Sequence, residues 1–214
     1  MVFMNKKIII LILIPVIAIP LIFSVYLELM SKNQSLQTFE NNFIYSDTEK
    51  IQKILATENI LMSPPSVITD HTIKQYCTFF DDDGIQQFVS YCVTTAILDS
   101  EGKPLGNINM GGNPIEPSMA LALVETGSSF DSKSEEIGFI FETMINTLVC
   151  DCWDEKKPGG FESVSAWIHA AEQKYGESSQ STLTSKINGL AQKQLILEIT
   201  PSNDSYLWTL IILS

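Results

Sequence analysis

The chain has 214 residues, a formal net charge of −12, 45% hydrophobic residues and no arginine among its 13 basic side chains. The hydrophobic content excludes a disordered body, and the length allows one ordinary domain with a buried core. The acidic balance excludes a surface for phosphate backbones, so no nucleic acid is expected as a partner; without guanidinium groups there is no bidentate clamp for carboxylate or phosphate.

The chain opens with Lys6-Lys7, and an apolar run follows over residues 8–29, IIILILIPVIAIPLIFSVYLEL. A bilayer core needs about 20 apolar residues in helical form, and membrane helices tolerate prolines such as Pro15 and Pro20. A signal peptide has a shorter apolar region and a small-residue cleavage pattern, which Ser24-Val25-Tyr26-Leu27-Glu28 lacks. A retained transmembrane anchor is therefore preferred to a cleaved signal or a buried soluble helix. Every acidic residue lies at Glu28 or beyond. The positive-inside rule then places residues 1–7 in the cytoplasm and the residues after the single span outside the cell membrane.

Residues 30–63 read as a juxtamembrane helical stalk that partly packs on the domain. Leu36, Phe39 and Phe43 fall at helical spacing; Ser46-Asp47-Thr48-Glu49 then resembles a capping box, with Ile51, Ile54 and Leu55 on one face of the helix it opens. Ser63-Pro64-Pro65-Ser66 ends the stalk, because a residue preceding proline is pushed out of the helical region. The extracytoplasmic domain is expected over residues 66–214.

Within it, Tyr76–Phe80 and Gln87–Leu98 read as strands around an Asp81-Asp82-Asp83-Gly84 turn, and a short strand follows over Leu105–Asn109. Met110–Ser118 reads as a glycine and proline loop, and the type of the apolar run Met119–Val124 is left open by periodicity. Ile137, Ile140, Met144 and Leu148 mark a helix behind a second capping box, Ser132-Lys133-Ser134-Glu135. Phe161, Val164, Trp167, Ala171 and Tyr175 mark another, stopped at Gly176, and a short helix is expected around Leu183, Ile187 and Leu190. A hairpin closes the chain: Gln194–Thr200, a turn at Pro201–Asp204, then Ser205–Leu213. The fold class is α+β, one antiparallel sheet with helices packed on one face.

The cysteines are Cys77, Cys92, Cys150 and Cys152. Outside the cytoplasm disulfides persist, as the sequons at Asn33 and Asn203 would be exposed there too. Folding a hairpin about Asp83-Gly84 brings Cys77 close to Cys92, the preferred pair. Cys150-Asp151-Cys152 is structural or locally paired, with a metal site including His169 or thiol exchange as alternatives. The acidic turn lacks the ligand spacing of an EF-hand, since Phe79 and Ser90 stand where carboxylates are needed. Ser100-Glu101-Gly102-Lys103 matches an S-x-x-K pattern in a turn rather than at a helix start, and there is no G-x-S-x-G. No catalytic constellation, metal site or cofactor is expected, which argues against an enzyme. Trp153, Trp167 and Trp208 read as core or pocket wall.

Thr95-Ala96-Ile97-Leu98-Asp99-Ser100-Glu101-Gly102-Lys103-Pro104-Leu105-Gly106 resembles the strand, Asp, turn-Gly, strand hairpin of extracytoplasmic Cache and PAS-like sensor domains. The resemblance covers about residues 95–106 and implies a small-molecule pocket between sheet and helices. It carries no family ligand residues onto this chain, and the second span and cytoplasmic signalling module usual in that family have no counterpart here. The expected function is a membrane-anchored ligand-binding or sensor-like module. The alternative is a structural or assembly protein of the cell envelope working through protein contacts.

Overall fold

The structure, a computed structural model, describes residues 42–69, 72–73, 77, 86–127, 133–177, 182–202 and 205–214. The anchor expected over residues 8–29, the stalk before residue 42, the acidic turn at Asp81–Gly84, His71, Ser132 and the asparagines of both sequons lie outside the described residues. Among the described residues no helix is long and apolar enough to cross a membrane.

Residues 42–214 make one compact unit built on an eight-stranded antiparallel sheet. Its strands are β1 (Leu61–Met62), β2 (Ser66–Ile68), β3 (Tyr91–Leu98), β4 (Pro104–Gly112), β5 (Pro117–Thr126), β6 (Leu183–Leu190), β7 (Lys193–Ser202) and β8 (Ser205–Leu213). The order across the sheet is β1-β3-β4-β5-β8-β7-β6, with β2 also paired to β3. The closing hairpin thus lies beside the meander, because β8 pairs with β5 over Met119–Thr126. Among the described residues the sheet is accompanied by the α-helices α1 (Asp47–Leu55), α2 (Ser134–Leu148), α3 (Trp153–Lys156) and α4 (Val164–Glu177).

Strand periodicity explains the core. Thr95, Ile108, Ala122, Leu210 and Leu197 are successive cross-strand neighbours on one face, and so are Ile97, Gly106, Val124, Trp208 and Ile199. The apolar members of both rows join a single cluster with Ile51 and Leu55 of α1, Ile140 and Met144 of α2, and Trp167 and Ala171 of α4. A second, smaller cluster of Ile73, Cys77, Val89 and Cys92, with Ile68 against it, sits at the β2–β3 edge.

Several elements differ from the sequence expectation, each for a local reason. The segment read as the end of a stalk that partly packs on the domain is integral to it from residue 42: Ile51 and Leu55 are fully buried, and the Gln52 side chain donates to the Met62 carbonyl at 3.1 Å, tying α1 to β1. Ser46 does not cap α1 with its side chain; the Asp47 carboxylate instead accepts the Ile44 N–H at 2.8 Å, fixing the chain just ahead of the helix. The long strand starts at Tyr91, with Gln87 and Phe88 in a turn. The expected loop from Met110 is mostly strand, since β4 runs through Gly112 and β5 starts at Pro117. The glycines that suggested a loop instead permit close strand approach: a Cβ at Gly112 would stand 2.6 Å from the Ser118 nitrogen. Helix α4 continues through Gly176 to Glu177.

The segment around Leu183, Ile187 and Leu190 is strand β6, not a helix. Its apolar residues mimic helical spacing because the register shifts between Asn188 and Leu190, where Gly189 has φ +83°. The extra residue flips the alternation, so Ile187 and Leu190 both turn inward. A two-residue turn, Ala191-Gln192, then leads into β7 with φ of 47° and 65°. Neither side chain suits that left-handed region, which hairpin turns reserve for Asn-Gly. Replacing Ala191→Asn and Gln192→Gly together is expected to stabilise the protein by about 1 kcal/mol, read as a rise of about 3 °C in thermal unfolding.

The chain arrives at the sheet through a clasp. The Lys193 ammonium donates to the Asn42 side-chain oxygen at 2.8 Å and lies 5.6 Å from the Phe43 ring centre. Asn42 donates in turn to the Glu116 carboxylate, and the Tyr45 hydroxyl donates to the Asn113 carbonyl at 2.8 Å. Burial holds Lys193 below the usual lysine pKa, with Glu116 opposing the shift, and burial pushes the Tyr45 phenol above its usual range.

Candidate functional site

Helices α2 and α4 each turn an apolar face to the sheet and a polar face outward. On α2 the inward side chains are Ile137, Ile140, Phe141, Met144 and Leu148; on α4 they are Val164, Trp167, Ile168, Ala171 and Tyr175. Trp167 is anchored by its indole N–H, which donates to the Ser185 hydroxyl of β6 at 2.8 Å, and its ring lies 5.9 Å from that of Trp153. Trp153 donates to the Phe161 carbonyl at 3.1 Å, so the two tryptophans fix the α2–α3–α4 turns above the sheet.

Between the outer edges of α2 and α4 lies a cleft of about 340 Å³ lined by Ser134, Glu135, Gly138, Phe139, Glu142, Ser165 and His169. Ser134, Gly138 and Glu142 follow one another at four-residue spacing on α2, as Ser165 and His169 do on α4, so each set forms one stripe. Gly138 faces open space in the cleft, since a Cβ there would meet nothing within 4 Å. The His169 Nδ1 is 3.0 Å from the Glu172 carboxylate, which orients the ring along the cleft wall. Glu142 also lines a neighbouring cavity of about 290 Å³ with Asn146, Asp151, Cys152, Trp153, Asp154 and Glu155. The two spaces form an acidic surface: carboxylates at both ends, Phe139 as an aromatic wall, and serine hydroxyls as neutral partners.

The cysteines form two disulfides, Cys77–Cys92 and Cys150–Cys152, and no described cysteine is free. The first joins the expected pair, and the turn expected between them at Asp83-Gly84 lies outside the described residues. The Cys77 N–H donates to the Ile73 carbonyl at 2.7 Å, a helical-type bond, and the strand beside Cys92 is β2, through Ile68. The rest of the strand expected over 76–80 lies outside the described residues. The Cys150–Cys152 bond occupies the sulfurs a metal site with His169 would need, and the described residues hold no cluster of three metal-ligating side chains.

The S-x-x-K match is an exposed turn: Asp99 accepts the N–H groups of Glu101 and Lys103, both at 2.9 Å, and Lys103 pairs with Glu101. Those backbone donors hold the Asp99 carboxyl below the usual range, and Gly102 supplies the left-handed φ of +79° the turn requires. Asp99 therefore closes the β3–β4 turn. All three tryptophans are buried, Trp153 and Trp167 beside the helices and Trp208 within the sheet's inner face. Sequence reasoning did not single out Glu135, Gly138, Phe139, Glu142 or Ser165 as a group. The one usable signal was Gly138, an isolated glycine inside a strong helical period.

No protein-family model, curated protein or solved structure matches the chain.

Proposed function

We propose that the chain is a membrane-anchored, extracytoplasmic ligand-binding module, held by residues 8–29 and sensing a small organic cation in the α2–α4 cleft. The observation that carries this reading is the cleft itself, in which Glu135 and Glu142 flank Phe139 and open Gly138. Carboxylates beside an aromatic wall favour an ammonium-bearing ligand, and a chain without arginine has no guanidinium with which to hold an anion. Two disulfides accord with an oxidising compartment, the side of the membrane on which the lysine pair before residue 8 would place the domain. The PAS-like and Cache-like kinship belongs to this proposal, as the class of module in which such a pocket serves as a sensor.

The test is thermal unfolding of the full chain in detergent with polyamines, choline-type cations and matched anions. A cation at about 100 times its dissociation constant should stabilise by roughly 2.7 kcal/mol, a rise of about 5–10 °C. Gly138→Leu should fill the cleft and abolish the shift while leaving the apo protein at least as stable, since leucine is the better helix former by about 0.8 kcal/mol. A panel in which cations raise the melting temperature no more than anions refutes the reading.

A second reading, an envelope structural or assembly protein, is favoured by Ile115 and Phe88, exposed at 88% and 71%. A contiguous exposed apolar patch marks a protein contact, and this reading takes these two side chains as its centre. In that case Ile115→Ser with Phe88→Ser should abolish co-purification of a specific envelope protein and leave the melting temperature unchanged.

A further inference from the structure

The two disulfides differ in exposure and in the length of loop they close. Cys77 and Cys92 have no exposed surface, are 15 residues apart and are enclosed by Ile68, Ile73 and Val89. Cys150 and Cys152 are half-buried and two residues apart, in the short link between α2 and α3. A ring that small removes little freedom from the reduced chain, so closing it stabilises the fold less than the long loop does. Attack on it requires no unfolding, because Cys152 forms part of the wall of the 290 Å³ cavity. Cys150 does not line that cavity.

We propose that Cys150–Cys152 is a thiol–disulfide exchange site that accepts electrons from a neutral or cationic dithiol attacking Cys152 through the acidic cavity. In the first step a thiolate of the dithiol bonds to the Cys152 sulfur. The Cys150–Cys152 bond breaks, and Cys150 leaves as a thiolate that takes up a proton. The second thiol of the reductant then attacks its own sulfur in the mixed disulfide. It closes a disulfide within the reductant and releases Cys152, which is protonated in turn. Two electrons and two protons pass to the protein, and the dithiol is oxidised. The carboxylates of Glu142, Asp151, Asp154 and Glu155 set the selectivity. They repel anionic thiols and admit neutral or cationic ones.

The full chain in detergent, under native conditions, is titrated with dithiothreitol, quenched with an alkylating agent and mapped by peptide mass. Cys150 and Cys152 should become labelled at about a tenfold lower dithiothreitol concentration than Cys77 and Cys92. Opening of Cys77–Cys92 first, or of both pairs together, overturns the proposal. At equal thiolate concentration and low salt, cationic cysteamine should open Cys150–Cys152 about tenfold faster than anionic glutathione, with the rates converging at high salt. Equal rates at low salt overturn the route through the acidic cavity.

Discussion

Replacing Trp167 with alanine is expected to cost about 4 kcal/mol, lowering the melting temperature by roughly 10 °C. The side chain is 1% exposed and sits where α4, the Trp153 ring and the inner face of the sheet meet. Its loss leaves a cavity that the neighbours cannot close, because α4 is held at the same point by Val164 and Ile168. The indole N–H also serves Ser185 at 2.8 Å, so Trp167→Phe should keep most of the packing and lose about 1 kcal/mol for the bond. Urea unfolding of the two variants separates the contributions. Equal stabilities for Trp167→Ala and Trp167→Phe would show that the ring's bulk does not hold the helix on the sheet.

Gly106→Ala should cost about 3 kcal/mol by a different mechanism. Gly106 pairs with Val124 across β4 and β5, and a Cβ on it would overlap the Leu123 carbonyl oxygen. The obstacle is backbone, which cannot rotate aside as a side chain can, so the two strands must separate locally. Gly127→Ala, just beyond β5, meets nothing within 4 Å and should change stability by less than about 0.5 kcal/mol. Thermal unfolding of the pair measures the crowding alone; a Gly106→Ala protein as stable as Gly127→Ala would mean the strands are free to part.

The helices and the closing hairpin were legible in the sequence because burial on one side enforces periodicity. The stripe Ile137, Ile140, Met144, Leu148 and the stripe Val164, Trp167, Ala171, Tyr175 are the faces that meet the sheet. Where a backbone irregularity changes the period, the same rule misleads. The bulge at Gly189 gave β6 a helical spacing, and the glycines at 111 and 112 looked like loop although they pack between strands. The cleft was the least legible part. Ser165, His169, Glu135 and Glu142 occupy the polar sides of two helices, and in a sequence such residues read as ordinary solvent-facing positions. Only the distance between α2 and α4, set by apolar residues on their opposite sides, turns them into walls of one space.

The Asn42–Lys193–Glu116 clasp has a mechanical consequence. Tension arriving along the polypeptide from before residue 42 is not borne by α1. It is borne by an ammonium and a carboxylate on β7 and on the β4–β5 turn, and by Phe43, 3% exposed, which would have to be drawn out of its seat. A pull on Asn42 thus loads the middle and one flank of the sheet at once, so a force strong enough to open the clasp would be felt by the strands before it could unwind a helix.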